Sequence, residues 1–377
     1  FIVGDDDQSI YRFRGAKPEI MLGFEKDYPD AERVLLNINF RSTKDIVDTA
    51  GRLIAHNKTR FPKEIITKQG RGKPVVTRVW KDPQEETLEI VHEIADYAAA
   101  GYAWSDIAVL YRTNLGPRLL IEKLMEYNIP FCMKDAVPNL YDHWIAKNLI
   151  AYLNAAAGDL SRSCILSVIN RPNRYISRDA LELPVVNWEA VKSFYQDKGW
   201  MVERIEQLEY DLKFLRQLAP AAAVNYIRKA VGYDDYIREY AEYRRMKPEE
   251  LFEVLDQLAE SAAGFKTVEA WFAHMEEYAR ELKLQARSRE KRTEGVSLMT
   301  MHSSKGLEYR IVYILDANEG VTPHHKAVLD ADMEEERRMF YVAMTRAKER
   351  LHVNYVSERY SKKQEVSRFV KEYLGRE

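Results

Sequence analysis

The stretch Val296-Ser-Leu-Met-Thr-Met-His-Ser-Ser-Lys-Gly-Leu-Glu-Tyr-Arg-Ile-Val-Tyr-Ile-Leu315 determines the fold class of this chain. Its two apolar runs, Val296–Met301 and Ile311–Leu315, are separated by a polar turn, and short apolar runs bounded by turn residues are typical of buried strands. Further strands are predicted at Val34–Ile38, Val75–Trp80, Ile107–Tyr111 and Leu351–Tyr355. Helical patterns at Glu85–Ala99, which follows the cap Asp82-Pro83, and at Glu334–Arg350 alternate with these strands. The alternation predicts an α/β fold with a parallel sheet covered by helices.

The first residues, Phe1-Ile-Val-Gly-Asp-Asp-Asp-Gln8, have the pattern of another buried parallel strand. Such a strand would deliver acidic and amide side chains to its carboxyl end, where ligands bind in open α/β sheets. Since a domain rarely starts on a core strand, we expect a piece of a larger nucleotide enzyme. A phosphate loop needs Gly-x-x-x-x-Gly-Lys-Ser/Thr. The nearest match, Gly70-Arg-Gly-Lys-Pro74, has proline in the hydroxyl position and fails.

The middle of the chain, from about 138 to 292, has no strand pattern. Apolar residues recur there at helical spacing, with charge on the opposite face, at Trp144–Ala157, Met201–Leu218, Glu249–Ala263 and Val268–Leu284. We therefore predict an inserted all-helical domain that interrupts the α/β domain. Its crossings near Val137-Pro138 and Thr293-Glu294-Gly295 are suited to a hinge. The basic run Arg280–Arg292 is either a solvated helix end or a DNA-facing or hinge segment.

Composition limits the remaining classes. With 377 residues, 46% hydrophobic and 31% charged, the chain is long enough for two or three globular domains. The net charge of −2 does not decide between partners, because nucleic-acid binding depends on local basic patches. No apolar run approaches the ~18 residues of a membrane span. Cys132 and Cys164 lack the spacing of a metal site or disulfide scaffold, so we expect reduced thiols in a cytoplasmic protein.

Four motifs occur in a fixed order around the helical block: Gly4-Asp-Asp-Asp-Gln-Ser-Ile-Tyr-Arg-Phe-Arg-Gly15, Asn39-Phe-Arg-Ser42, Thr300-Met-His-Ser-Ser-Lys-Gly-Leu-Glu308 and Glu334-Glu-Glu-Arg-Arg-Met-Phe-Tyr-Val-Ala-Met-Thr-Arg-Ala-Lys-Glu-Arg-Leu351. Together they resemble the UvrD/PcrA/Rep family of superfamily 1 DNA helicases. The resemblance implies a RecA-like second motor domain (2A) at 17–137 and 293–377. It also implies an inserted 2B domain at 138–292 and the tail of the first motor domain at 1–16.

The same resemblance implies an activity and its ligands. The whole protein would be an ATP-dependent helicase or translocase that moves 3′ to 5′ on single-stranded DNA. ATP and Mg²⁺ are implied, with the metal ligands outside this chain, so the chain alone is expected to be inactive as an ATPase. The implied partners are single-stranded DNA, single-strand/duplex junctions and repair or replication proteins, without a membrane. The alternative is a non-catalytic DNA-binding or partner-docking module of the same fold.

Candidate nucleotide-site residues follow from the chemistry of phosphoryl transfer. Gln8 offers an amide that both donates and accepts, which suits a γ-phosphate sensor; a structural amide is the alternative. Arg41 and Arg346, the latter placed on the helix 334–350, offer guanidinium groups that meet the charge on equatorial oxygens. By resemblance, Phe40 lies over the nucleotide, where relatives usually carry tyrosine, and Glu308 reaches the ribose. The other arginines of that helix, Arg337, Arg338 and Arg350, are predicted to be solvated or in local ion pairs.

Candidate DNA-binding residues cluster in the first and third motifs. By resemblance Tyr11, Phe13 and Arg14 contact single-stranded DNA, and Phe13 stacks on a base unless it packs in the core. Thr300, His302 and Lys305 suit a phosphodiester contact, although a lone histidine after a strand is more often a packing residue. His324 and, more weakly, Asn114 match further DNA contacts. No metal site is predicted, because the adjacent His324 and His325 side chains diverge.

The helical block departs most from the family. Relatives carry a glycine-rich turn for duplex DNA near Arg171-Pro-Asn-Arg-Tyr-Ile-Ser-Arg178, and this chain has no glycine there. Glycine permits the close approach of backbone to a phosphate. We therefore expect the helical block to grip duplex DNA weakly.

Overall fold

Two compact units make up the chain in the computed structural model, which describes residues 1–12, 15–113, 116–288 and 294–375. Unit 1 comprises Phe1–Val137 and Leu284–Glu377, and unit 2 comprises Pro138–Lys283. Unit 2 ends before residue 292, where the sequence placed the end of the helical block. Residues after Lys283 pack with unit 1 instead. Gln285, for example, donates a side-chain hydrogen bond to the Phe131 carbonyl oxygen (3.1 Å).

Unit 1 contains a six-stranded sheet in the order β3-β8-β7-β4-β6-β5, and every neighbouring pair is parallel. The strands in chain order are β1 (Ile38–Asn39), β2 (Ile66–Thr67), β3 (Val76–Trp80), β4 (Ile107–Tyr111), β5 (Phe131–Met133), β6 (Val296–Thr300), β7 (Tyr309–Ile314), β8 (Ala347–Val356), β9 (Glu358–Arg359) and β10 (Lys362–Lys363). Strands β1 and β2 form a separate parallel pair, and β9 and β10 form an antiparallel pair. The predicted α/β class with a parallel sheet is confirmed.

Helices cover both faces of this sheet. Those of unit 1 are α1 (Pro18–Leu22), α2 (Phe24–Asp27), α3 (Lys44–Ile54), α4 (Pro83–Ala99), α5 (Arg118–Glu126), α14 (Asp330–Met344) and α15 (Arg368–Leu374). Alternate strand residues such as Leu110 and Ile314 pack in a core with α3, α14 and α15. Tyr313 points to the opposite face, where its hydroxyl donates to Glu93 on α4 (3.0 Å). Strands buried on both faces account for the nearly continuous apolar runs of the sequence.

Helix α4 begins as its sequence predicts. The Asp82 carboxylate accepts hydrogen bonds from the backbone N–H groups of Gln84 (3.1 Å) and Glu85 (2.9 Å), and Pro83 occupies the first helical position. A capping carboxylate and a first-turn proline both satisfy the needs of a helix start, where backbone donors lack partners.

Two predicted buried strands are wrong. Residues 1–5 form no strand and Phe1 and Val3 are exposed; of the run 34–38 only Ile38 is in a strand, while Val34 and Leu36 are exposed. Residues 1–5 have no neighbouring strand among the described residues, and in the run 34–38 only Ile38 is paired, with Ile66 of β2. Local apolar character alone therefore does not make a strand here.

The predicted helix 334–350 is wrong at its carboxyl end. Helix α14 ends at Met344, and β8 begins at Ala347, which pairs with Tyr309 of β7. Arg346 consequently lies in the turn between α14 and β8 and not on the helix.

Unit 2 is helical. Its helices are α6 (Trp144–Ala157), α7 (Arg162–Val168), α8 (Trp188–Phe194), α9 (Gly199–Leu215), α10 (Pro220–Lys229), α11 (Tyr233–Arg244), α12 (Pro248–Ala263) and α13 (Val268–Ser288), which continues into unit 1. The inserted all-helical block is thus confirmed as a fold element. Both cysteines are buried and free. No helix of the described residues is long and apolar enough to cross a membrane.

Candidate nucleotide and DNA site

The segment between β6 and β7 runs from the carboxyl ends of the parallel strands to their amino ends. We call these two sides of the sheet the carboxyl edge and the amino edge. Thr300 is the last residue of β6, and Glu308 directly precedes β7. Because the strands are parallel, Thr300 lies at their carboxyl ends and Glu308 at their amino ends. The predicted DNA residues Thr300 and His302 therefore lie near one edge, and the predicted nucleotide residues Glu308 and Arg346 near the other.

Arg41 is held at the amino edge by a short polar segment. The Asn39 side-chain oxygen accepts hydrogen bonds from the backbone N–H groups of Arg41 (2.8 Å) and Ser42 (2.9 Å). The Ser42 hydroxyl donates to the Ala347 carbonyl oxygen at the start of β8 (2.6 Å). Arg41 itself donates through Nε to Glu308 (2.7 Å) and through Nη1 to the Thr345 carbonyl oxygen (3.2 Å). The guanidinium is thus fixed beside the turn that carries Arg346.

Glu308 holds two cations at once. One carboxylate oxygen accepts from Arg41 and the other lies 2.7 Å from the ammonium nitrogen of Lys348. The hydrogen bonds from Lys348 and Arg41 lower the pKa of Glu308 to about 2. Glu308 is therefore ionised at neutral pH, and the three groups carry a net positive charge.

Arg346 is only 2% exposed, although it carries a charge. Its guanidinium donates to the carbonyl oxygens of Val342 (2.9 Å) and Leu307 (3.2 Å) and to the Thr345 hydroxyl (3.0 Å). No carboxylate of the described residues forms a hydrogen bond with it. Burial first, and then the charge of Arg41, lower the pKa of Arg346 to about 10. Glu308 and Asp5 attract the charge of Arg346 without forming a hydrogen bond with it. A buried guanidinium without a bonded carboxylate is suited to receive an anion.

A concavity of about 710 Å³ lies at this edge, and Phe40, Arg41, Gln69, Glu308 and Lys348 are among its lining residues. Phe40 exposes its ring, and the Lys68 ammonium nitrogen lies 5.3 Å from the ring centroid. The structure thus brings Phe40, Arg41 and Glu308 together, as predicted, and adds Lys348. Arg346 does not line the concavity but lies buried directly behind Arg41.

The N-terminal motif forms a second cluster with the segment after β6. Gln8 ends a 3₁₀ turn, its amide nitrogen donates to Asp5 (2.6 Å), and its carbonyl oxygen accepts from the Lys305 ammonium (2.8 Å). The Tyr11 hydroxyl donates to the His302 carbonyl oxygen (3.4 Å), and the Lys305 ammonium lies 5.3 Å from the Tyr11 ring centroid. Burial lowers the pKa of Lys305. The predicted residues Gln8, Tyr11, His302 and Lys305 are therefore neighbours.

The acidic run beside Gln8 does not fit the Mg²⁺ that the family implies. Oxygen atoms of Asp5, Asp6 and Asp7 lie within 4.8 Å of one another, but the Lys63 ammonium contacts all three carboxylates. Arg60 adds two hydrogen bonds to Asp7 (2.8 and 2.7 Å). Although burial opposes it, bonding to Asp5 and Asp6 raises the pKa of Lys63. These carboxylates are already occupied by the Lys63 ammonium and the Arg60 guanidinium, so no metal ligation is assigned to them.

Thr300 lies at the carboxyl end of β6, and His324 follows β7 in the chain. The Thr300 backbone N–H donates to Asp135 (2.6 Å), and its hydroxyl donates to Ser303 (3.1 Å). His324 is half-buried, and its backbone N–H donates to Glu336 (2.9 Å). Burial, and then the charge of Arg112, lower the pKa of His324 to about 4, so its ring is neutral at pH 7. Phe13, Arg14 and Asn114 lie outside the described residues.

Three functional or supporting residues were missed from the sequence: Lys348, Asn39 and Lys63. Lys348 was assigned to a helix, whereas in β8 it lies two residues after Arg346. Asn39, in the second motif, could have been recognised, because an asparagine two residues before an arginine commonly caps the turn that presents it. Lys63 has no local signal, since its acidic partners lie more than fifty residues earlier. Arg337 and Arg338, predicted as solvated or ion-paired, are buried ion-pair partners of Glu372 and Glu334.

The parallel sheet and its helices define a RecA-like α/β domain. Comparison with known families then identifies the group: the chain belongs to the UvrD-like helicases. The model of the UvrD-like helicase C-terminal domain matches residues 34–358, and the model of the UvrD/REP helicase N-terminal domain matches residues 1–29.

Curated relatives agree with this assignment. The chain is 32% identical over 383 residues to the "Putative ATP-dependent DNA helicase YjcD" of Bacillus subtilis (98% of this chain, 49% of the relative). It is 34% identical over 397 residues to the "ATP-dependent DNA helicase PcrA" of Staphylococcus epidermidis (98% and 54%). Against PcrA of Staphylococcus aureus it is 32% identical over 380 residues (95% and 51%). The chain spans about half the length of the curated relatives it matches.

Proposed function

We propose that this chain works within a longer protein as part of an ATP-dependent DNA helicase or translocase that moves 3′ to 5′ on single-stranded DNA. The observation that carries the proposal is the amino-edge site. There Arg41, Glu308 and Lys348 line one concavity, and the buried, carboxylate-free Arg346 lies behind it. ATP matches this charge, because its phosphates are the anions that such guanidinium groups bind.

The chain's own residues suggest how hydrolysis is promoted. When ATP is presented to the concavity, its γ-phosphate competes with Glu308 for Arg41, and Lys348 retains the Glu308 carboxylate. Arg346 adds a second positive charge whose hydrogen bonds to backbone oxygens fix its orientation. Arginine fingers of this kind contribute on the order of 10³–10⁵ in rate. Gln8 orients the attacking water once its amide leaves Asp5. Mg²⁺ would neutralise phosphate charge when bound, and its ligands are assigned outside this chain.

DNA would bind along the other edge of the sheet. Thr300, His302 and Lys305 supply hydroxyl, imidazole and ammonium groups that suit phosphodiester oxygens. Tyr11, next to Lys305, and the undescribed Phe13, Arg14 and Asn114 extend the track by stacking and charge. His324, neutral at pH 7, would contact a phosphate as a hydrogen-bond donor. Single-strand/duplex junctions and repair or replication proteins remain the proposed partners.

The test is DNA-stimulated ATP hydrolysis by the longer protein. Arg41→Ala and Arg346→Ala should each lower kcat by at least 10³-fold, the lower end of the range for arginine fingers, and leave single-strand affinity within a few-fold of wild type. Lys44→Ala is the matched control, because Lys44 forms only an exposed pair with Asp48 near Arg41. Normal turnover in both arginine variants would reject the roles assigned to Arg41 and Arg346, whereas no DNA-stimulated hydrolysis by the wild-type longer protein would favour a non-catalytic DNA-binding module. The purified chain 1–377 should show no DNA-stimulated hydrolysis.

A further inference from the structure

Unit 2 carries an exposed cluster of one arginine and two aromatic side chains, which we name the arginine–aromatic cluster: Tyr175, Trp200 and Arg204. The Arg204 guanidinium carbon lies 4.8 Å from the Trp200 ring centroid and 5.5 Å from that of Tyr175. Tyr175 is 67% exposed and Trp200 is 50% exposed. Large flat surfaces of both rings therefore remain open to solvent beside a positive charge.

The loop that presents Tyr175 is rigidly built. Tyr175 has φ +60°, a left-handed conformation that bulky residues rarely adopt. The buried Arg174 donates to the carbonyl oxygens of Val168 (3.2 Å) and Ile169 (3.1 Å). The Ser177 backbone N–H donates to the Tyr195 hydroxyl (2.6 Å). These contacts hold the Tyr175 side chain outward in spite of the strained backbone.

Positive charge around the cluster is uncompensated. Arg171 donates to the Asn148 side chain and the Ser167 carbonyl oxygen, and Arg174 donates to carbonyl oxygens and the Tyr152 hydroxyl. Arg204 donates to the Arg174 carbonyl oxygen (3.4 Å). Among the described residues of unit 2, no carboxylate forms an ion pair with any of these three arginines. Three unpaired guanidinium groups favour an anionic partner.

We propose that the arginine–aromatic cluster is a stacking site for an unpaired nucleobase of single-stranded DNA. Aromatic rings and guanidinium planes together are the surfaces on which proteins stack unpaired bases, and nearby positive charge attracts the strand's phosphates. A glycine-rich turn is expected to contact duplex DNA by bringing its backbone close to a phosphate. In this chain the Tyr175 side chain would obstruct that approach. The inference rests on the proposed function only in taking DNA as the ligand.

The test uses Tyr175→Gly in the chain 1–377. Glycine adopts φ +60° without strain, so the variant should unfold at the same or a higher temperature than wild type. Its affinity for a long mixed-sequence single strand, followed by fluorescence anisotropy, should fall about 5- to 100-fold, as expected for one lost base stack. Tyr175→Phe keeps the ring and should bind like wild type. Tyr243→Ala removes another exposed ring of unit 2, 84% exposed on α11, and should also leave affinity unchanged.

A strand of the same length that lacks bases separates stacking from backbone contact. Wild type and Tyr175→Gly should bind this abasic strand equally. An equal loss on both strands would show a phosphate contact and overturn the proposal, and so would unchanged affinity of Tyr175→Gly for the normal strand. If wild-type chain bound no strand at all, the DNA-binding part of the proposed function would fail with it. Normal DNA binding without any effect at Tyr175 would reject the cluster alone.

Discussion

Replacing Arg346 by methionine should cost unit 1 less stability than the loss of its three hydrogen bonds alone would suggest, although Arg346 is buried. Lowering its pKa from the ordinary 12.5 to about 10 means that the fold disfavours the charged side chain by about 3 kcal/mol at pH 7. Methionine removes that cost and keeps most of the side-chain volume. It also loses the bonds to Val342, Leu307 and Thr345, each worth about 1–2 kcal/mol net. The two effects oppose each other and leave an expected loss of about 0–3 kcal/mol.

Arg337 provides the contrast. It is similarly buried, but it donates to both Glu372 carboxylate oxygens (2.7 Å each) and to the Asn57 side chain (2.6 Å). Arg337→Met would leave a partly buried carboxylate without its cation, which costs about 3–5 kcal/mol. Urea unfolding of both variants at pH 7 measures the difference. Hydrogen exchange of α14 and β8 assigns it to unit 1.

Inorganic phosphate provides a second comparison between wild type and Arg346→Met. If the unpaired charge of Arg346 serves an anion, added phosphate should raise the unfolding midpoint of wild type more than that of Arg346→Met. A loss of stability in Arg346→Met as large as in Arg337→Met would refute this reasoning, and Arg346 would then be a structural arginine.

Three further predictions address neighbouring groups. In the longer protein, Lys348→Met should leave Glu308 bound to Arg41 alone and lower kcat for ATP with little change in KM; a change in KM only would contradict the positioning role. The pKa of buried His352 is lowered to about 4, first by burial. Neutral His352 therefore contributes to the free energy of unfolding above about pH 6.5, and this contribution, up to about 3 kcal/mol, is lost as the pH falls toward 4. His352→Phe should remove that part of the pH dependence of the unfolding free energy. Lys63→Met should cost about 3–5 kcal/mol, because it leaves three crowded carboxylates with Arg60 alone; thermal unfolding that matches wild type would contradict this.

The sequence predicts those parts of the fold that depend on local pattern. Strand Ile107–Tyr111 and helix Trp144–Ala157 have the predicted bounds, because an apolar run or a 3.6-residue period coincides with burial in the fold. The runs at Phe1 and Val34 also have apolar character, but among the described residues the first has no neighbouring strand and the second is paired only at Ile38. Whether a run forms a strand depends on a pairing partner elsewhere in the chain, and local composition does not reveal that partner.

The candidate site shows the same limit at finer scale. Arg41 was proposed from the sequence because phosphate chemistry calls for a guanidinium, and Phe40 and Glu308 because of the family resemblance; the structure places the three together around one concavity. Arg346 was found but misplaced. Ala347-Lys-Glu-Arg350 consists of good helix formers, and parallel pairing with β7 overrides that preference. Lys348 was missed for the same reason, since its partner Glu308 lies forty residues away.

The short segment between β6 and β7 has a mechanical consequence. From Thr300 to Tyr309 the chain must travel back along about the length of β7, roughly 20 Å. Its first part is coiled, with the Ser304 N–H bonded to the Thr300 carbonyl oxygen (3.1 Å), and advances only about 1.5 Å per residue. The coil continues as a further turn, in which the Leu307 N–H bonds to the Ser304 carbonyl oxygen (3.0 Å). The segment therefore reaches Glu308 as a run of hydrogen-bonded turns, and a displacement at His302 would have to shift or break these hydrogen bonds before it moved Glu308.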